Sequence, residues 1–263
     1  MVGTNGERQG MMLQPRDLHL LRELSVMCVV DREQAKIVAG FGSTTRANAR
    51  LLALTRSGLL KRFFLGSGGG RKALYALSPK GAETADVPCH GPRRPNDALL
   101  VADYFVGHQL AVNAIYCALK FGTIPVPKVS FTNWLTFHGP VVPGIGLVPD
   151  GYVEFATAAG VAACFLEVDL GHESLAVWKR KTQHYLQLAL SGKYRAQFRH
   201  ERFRVLVVAN SERRLHSIRK TIALITQKIF WFATLESVNG RFFTPVWFRP
   251  TDNKPTTLFE TNL

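Results

Sequence analysis

Cysteine is scarce in this chain and scattered. Cys28, Cys89, Cys117 and Cys164 form no CxxC pair and have no histidine at zinc-ligand spacing. The sequence therefore encodes neither a zinc site nor a disulfide framework, and core thiols are expected. Uncharged apolar runs of the ~18 residues that a bilayer span requires are missing, and the first residues show neither a basic n-region nor an apolar h-region. A soluble, unexported, cytoplasmic protein with no membrane partner is expected. No repeat occurs at solenoid spacing. Acidic residues are the last shortage, with 19 Asp and Glu against 33 Lys and Arg, a formal net charge of +14. Such an excess points to a polyanionic partner, and no basic segment carries the wide apolar stripe of an interfacial helix. Double-stranded DNA is the expected partner.

What is present is enough apolar residue for a real core, 46% of 263 residues, and a length that suits two domains. Residues 1–12 are polar and glycine-rich and are expected to form a disordered tail. From Leu13 the pattern becomes helical. Leu18, Leu20, Leu21 and Leu24 form a stripe, and Asp17 falls early in it, where the helix dipole favours an acid. Asp31 is placed to cap a short helix ending at Gly40. Ser43 precedes a third helix, with Ala47, Leu51, Leu52 and Leu54 inward and Arg46, Asn48, Arg50 and Arg56 outward. Leu59–Leu65 and Ala73–Leu77 read as strands joined by GSGGGRK, a hairpin with a basic tip. Three helices followed by a hairpin is the order of a winged helix, assigned to residues 13–80. In that fold the third helix enters the major groove and the wing reaches the backbone or minor groove. The expected DNA contacts are Thr44, Thr45, Arg46, Asn48 and Arg50 on the helix and Arg71 and Lys72 at the wing. GSGGGRK lacks the GK[ST] ending and the following helix of a phosphate-binding loop.

Residues 81–97, rich in Pro and Gly, read as a linker. A second domain is assigned to 98–250 and a tail to 251–263. Ala98–Phe121 predicts a long helix broken or bent near Gly107. Strands are predicted within Val126–Phe137, at Gly151–Phe155 and at Val161–Leu170. A helix follows from about Glu173 to Leu190, then the buried strand Arg204–Ala209 and the basic helix SERRLHSIRKTIALIT, with Phe243–Phe248 closing the sheet. The fold class is mixed α/β, with an α-β-β-β-α-β order after the winged helix. Arg213, Arg214, Arg219 and Lys220 are expected to form a solvated basic face, and Trp178, Trp231 and Trp247 to lie in the core.

The chemical signal is VPDGYVEF followed by CFLEVDLG. If Ala158 and Ala159 mark the turn of a hairpin, Asp150 lies opposite Glu167, because both stand equally far from the turn. Glu167 and Asp169 are two apart on a strand and project from one face. Three carboxylates at one sheet end would suit Mg²⁺ or Mn²⁺ ions that activate water against a phosphodiester. These residues resemble the PD-(D/E)XK nuclease superfamily, with Pro149–Asp150 as the PD and Glu167-Val168-Asp169 as the (D/E)XK. Asp169 stands where the lysine of that motif belongs. Some members carry the missing cation on the next helix, where Lys179 and Lys181 are the substitutes here; Lys181 lies one turn beyond Trp178, on a face directed at the sheet. The resemblance implies Asp150, Glu167 and Asp169 as metal ligands and Lys181 or Lys179 as the water-orienting group, with Lys181 taken as the candidate.

The whole layout, including HQLAVNAIY, YLQLALSGKY and RVLVVANSERRLHSIRK, also resembles the replication-relaxation family of plasmid and mobile-element proteins. That resemblance implies a DNA-associated role in replication or mobilisation. Two functional expectations follow: metal-dependent nicking or cleavage of DNA, or a non-enzymatic regulator or adaptor with an inactive nuclease-like domain, for example a repressor of its own operon. A second copy of the chain and other DNA-processing proteins are the further partners considered.

Overall fold

The computed structural model of the chain describes residues 11–65, 72–90 and 99–259. The chain divides into two compact units, Met1–Asn113 and Ala114–Leu263.

In the first unit the three expected helices and the two following strands appear, together with a strand β1 that was not expected and a further helix α4: α1 Pro15–Met27, β1 Val29–Asp31, α2 Arg32–Val38, α3 Thr44–Arg56, β2 Leu60–Leu65, β3 Lys72–Leu77 and α4 Pro79–Ala85. The three strands form an antiparallel sheet in the order β1-β3-β2. Caps set the helix starts. The Gln34 amide donates to Asp31 Oδ1 at 2.8 Å, and the Arg46 amide donates to Ser43 Oγ at 3.3 Å. Ala47, Leu51 and Leu54 of α3 are buried, as are Leu20, Leu21 and Leu24 of α1, while Leu52 is half-buried. Residues 81–85, read as linker, instead belong to α4. Gly81 is required there because a Cβ would stand 2.1 Å from the Leu59 carbonyl oxygen.

Helix α5, Leu99–Lys120, runs unbroken past Gly107. One glycine in a helix costs only about 1 kcal/mol, and Val106 and Leu110 on either side of it pack against Val29 and Leu74. Polar bonds fix the same stretch. Gln34 Nε2 donates to the Leu110 carbonyl at 2.8 Å, and Asn113 Nδ2 donates to the carbonyls of Met27 and Val29 at 3.0 and 2.6 Å. The division between units therefore falls after Asn113, inside the helix and beyond the expected boundary at 97.

The second unit is a five-stranded sheet in the order β4-β5-β6-β7-β8, built from β4 Ser130–Leu135, β5 Gly151–Thr157, β6 Gly160–Asp169, β7 Arg204–Ala209 and β8 Phe230–Thr234. The first three strands pair antiparallel, and β6, β7 and β8 pair parallel. Helices α6 Leu175–Leu190, α7 Lys193–Phe198 and α8 Glu212–Ala223 make the connections, and the short α9 Leu235–Val238 follows β8. The observed order is the α-β-β-β-α-β series expected from the sequence. Trp178, Tyr185, Leu188, Leu215, Ile218 and Ile222 of the helices bury one sheet face, on Tyr152, Phe165, Val205, Val207 and Phe232. The closing strand is β8 rather than Phe243–Phe248, because FWFAT is the more continuous apolar run. Phe248 adds a single bridge to Phe232. Residues 251–259, expected to trail as a tail, lie on the unit instead. Leu258 and Phe259 are buried, and Phe259 meets Phe155 at 5.2 Å between ring centroids. No described helix is long and apolar enough to cross a membrane.

Candidate functional site

Asp150 and Glu167 meet through the register of the β5–β6 hairpin. Gly151 pairs with Leu166, so the preceding residue faces Glu167, as the distance from the turn requires. The Asp150 amide donates to the Leu166 carbonyl at 3.1 Å, and its Oδ2 accepts from the Val168 amide at 2.7 Å. Gly151 is no mere turn residue. A Cβ there would lie 2.6 Å from the Trp134 indole, so only glycine admits the ring beside the acid.

Glu167 is 1% exposed. Its Oε1 accepts from Tyr185 Oη at 2.6 Å and its Oε2 from Lys181 Nζ at 2.8 Å. Both donors come from α6, which Ser174 caps by accepting from the Val177 amide at 3.3 Å. Trp178, Lys181, Thr182 and Tyr185 line one helical face at spacings of three and four. Lys181 reaches Glu173 as well, with Nζ 2.8 Å from Glu173 Oε1. Burial alone would lower the Lys181 pKa, yet Glu167, Asp150 and Glu173 hold it as an ammonium well above the usual lysine range. Burial pushes the Glu167 carboxyl up, Lys181 pulls it down and the neighbouring Asp150 charge pushes it up again, with a net rise. Tyr185 is raised by burial and by Glu167 and stays a phenol.

Asp169 does not join this pair. It projects from the same face of β6, but both oxygens are engaged elsewhere. Oδ1 accepts from the Gly171 amide at 2.6 Å and from Arg214 Nε at 2.8 Å, while Oδ2 accepts from Trp178 Nε1 and Arg214 Nη2, each at 2.7 Å. A carboxylate offers about four acceptor positions, and these four bonds fill them. Although burial acts to raise its pKa, Arg214, Trp178 and Gly171 hold Asp169 below the usual carboxylate range. The expected third metal ligand is thus a structural carboxylate. Arg214, read as part of a solvated basic face, is its partner, and it also donates to the Glu173 carbonyl. Arg219 is likewise turned to backbone, donating to the carbonyls of Arg249 and Asp252. Lys179 is exposed, so Lys181 is the lysine that reaches the acids.

Among the described residues no group of three His, Cys, Asp or Glu side chains could hold a metal. Two carboxylates still can, because Mg²⁺ commonly takes one or two and keeps waters or substrate phosphate for the rest. Among the described residues Glu167 accepts two side-chain bonds, leaving about half its acceptor capacity, and the charge of Asp150 acts on it. Asp150 and Glu167 therefore fit a hard divalent cation, and Asp169 does not.

In the first unit Thr45, Arg46 and Asn48 are exposed along α3, and Thr44 is half-buried. Arg46 borders a recess of about 310 Å³ with Gln14, Arg16 and Phe41. Arg50, expected at the DNA surface, is engaged within the unit. Its Nε donates to Asp17 Oδ1 at 2.9 Å, its Nη2 to Asp17 Oδ2 and, at 2.8 Å, to the Met12 carbonyl, fastening α3 to α1. Lys72 pairs with Asp31 Oδ2 at 2.5 Å, at the cap of α2. Arg71 lies outside the described residues. Tyr185, Glu173 and the structural use of Arg214 were not foreseen. Only Tyr185 carried a signal, standing four residues after Lys181 on the stripe begun by Trp178.

The model of the replication-relaxation family matches residues 18–206, well over half of the chain. The chain belongs to the replication-relaxation family. Among solved structures it is similar to restriction endonuclease FokI, with 13% identity over 85% of this chain and 42% of that one at a TM-score of 0.35. A FokI structure bound to DNA gives 10% identity over 85% and 43% at a TM-score of 0.34. The chain spans less than half the length of either, and at these scores neither likeness bears on function. No match was found among the curated proteins.

Proposed function

We propose that the protein binds double-stranded DNA in plasmid or mobile-element replication or mobilisation, and that its second unit nicks or cleaves DNA at Asp150, Glu167 and Lys181. The observation that carries this reading is the lysine of α6 reaching the acid pair, Lys181 Nζ standing 2.8 Å from Glu167 Oε2. The cation missing from the strand motif is thereby supplied from the next helix. Asp150 and Glu167 would hold Mg²⁺ or Mn²⁺, which when bound polarises a phosphodiester and acidifies water. Lys181, kept as an ammonium, donates hydrogen bonds and offsets charge on the phosphate; it takes no proton. Tyr185 fixes the Glu167 carboxylate from behind. The first unit acts as a winged helix that delivers this site to DNA through Thr44, Thr45, Arg46 and Asn48 on α3 and through the residues of the expected wing, Arg71 and Lys72. Lys72, tied to Asp31, contributes charge there more than direct contact.

A second reading is favoured by one feature: Glu167 is closed over by Lys181 and Tyr185, as in an adaptor that keeps the fold without the chemistry. Incubation of supercoiled plasmid with the protein and Mg²⁺ or Mn²⁺ separates the two. Nicking that falls at least 100-fold in Asp150→Ala and Lys181→Ala supports the enzyme. Absence of both cleavage and divalent-metal binding in the parent protein leaves the adaptor.

A further inference from the structure

Lys181 is shared. Its ammonium lies 2.8 Å from Glu167 Oε2 and 2.8 Å from Glu173 Oε1, from a helix that begins two residues after Glu173. The second oxygen of Glu173, Oε2, is buried and has no hydrogen-bond partner among the described residues. An unpaired buried carboxylate oxygen is costly, and an ammonium has three donors with which to satisfy it. The loop holding Glu173 is fixed independently, because Arg214 binds its carbonyl while clamping Asp169. Glu173 is therefore a second acceptor, with capacity to spare, on a backbone that Arg214 holds, facing a lysine that occupies the carboxylate needed by any incoming cation.

We propose that Glu173 is a positioning residue for Lys181, sharing its ammonium with Glu167 and retaining it when Glu167 turns to a divalent cation. The proposal rests on the nuclease-type reading of Asp150, Glu167 and Lys181 for its purpose, but the Glu173–Lys181 contact is testable without it. A lysine handed from one carboxylate to another stays beside the site, where it can meet the substrate phosphate. Without Glu173 the ammonium keeps Glu167 as its one directly bonded carboxylate among the described residues, with Asp150 acting through its charge, and competes with the metal for that carboxylate.

The experiment uses the full chain, labelled with ¹⁵N at lysine side chains. Ammonium protons of solvated lysines exchange too fast to be observed near neutral pH, whereas one held by two carboxylates gives a resolved signal. The parent protein is expected to show such a resonance, assigned by its loss in Lys181→Arg. Glu173→Gln should broaden or remove it and Glu173→Asp should keep it, with amide spectra reporting that each variant is folded. A purely structural Glu173 would leave the resonance unchanged in Glu173→Gln, and that result, or no slowly exchanging Lys181 signal in the parent, overturns the proposal. Mn²⁺ titration supplies the second arm. Glu173→Gln should weaken Mn²⁺ about tenfold, in the range found for residues that orient metal ligands, yet change nothing in a Lys181→Met background. Equal weakening in both backgrounds would make Glu173 a direct ligand and refute the positioning role. If the parent protein binds no Mn²⁺, the nuclease reading fails, while the ammonium signal still decides whether Glu173 positions Lys181.

Discussion

Glu167 and Asp169 stand two residues apart on one face of β6, each 1% exposed, and they are compensated in opposite ways. Asp169 meets the planar fork of Arg214 together with an indole and a backbone amide. Glu167 meets a lysine and a phenol. The guanidinium matches both carboxylate oxygens at once and saturates the group, whereas the ammonium is a point charge on a flexible stem, able to serve two acids and to be exchanged between them. Two carboxylates equally shut off from solvent on one strand thus separate into a saturated strut and a group with acceptor positions to spare. The first unit repeats the strut in Arg50 and Asp17, where an arginine pointing from a helix fastens a buried aspartate of another.

Stability measurements should break the comparison most sharply. Removing Arg214 leaves Asp169 ionised, buried and unpaired, and Arg214→Ala is expected to cost about 3–5 kcal/mol in urea unfolding. Lys181→Met should cost less, about 1–3 kcal/mol, because Glu167 keeps its Tyr185 bond and, already raised, escapes by taking a proton. Equal losses would erase the distinction between the saturated carboxylate and the one with acceptor positions to spare.

Acid titration sharpens the same contrast. The folded pKa of Asp169 lies below its unfolded value, so the stability it contributes is fully present above about pH 4 and is lost as pH falls through the folded value. The parent chain should therefore lose stability more steeply below about pH 4 than an Asp169→Asn variant. Matching slopes by tryptophan fluorescence would show that the clamp does not hold Asp169 ionised.

The smallest effect separates two arginines of α3. Arg46→Ala should leave stability unchanged and weaken duplex binding about tenfold at moderate salt, since a good base or phosphate contact carries about 1–3 kcal/mol. Arg50→Ala should act first on stability, through Asp17. Reversal of those two phenotypes would restore Arg50 to the DNA surface.

Local signals in the sequence were sufficient for much of this. Asp31 and Ser43 cap the helices they precede, and the symmetry of the β5–β6 turn placed Asp150 opposite Glu167. Helical spacing aimed Lys181, rather than Lys179, at the sheet. The failures share a physical cause, which is pairing across sequence distance. Nothing near Asp169 announces Arg214, 45 residues on, and nothing near Arg50 announces Asp17, 33 residues before. Each arginine reads as surface charge until the fold supplies its carboxylate. The sheet's last strand was misplaced for a related reason, since Phe243–Phe248 is also apolar but spends its aromatics on packing, as where Phe242 meets Trp247.

Calorimetric titration of Mn²⁺ into Glu167→Gln and Asp169→Asn, side by side with the parent chain, tests the central division most directly. The structure predicts that Glu167→Gln abolishes binding while Asp169→Asn, still folded, retains the parent affinity within a few-fold. Loss of binding in Asp169→Asn with binding kept in Glu167→Gln would contradict it.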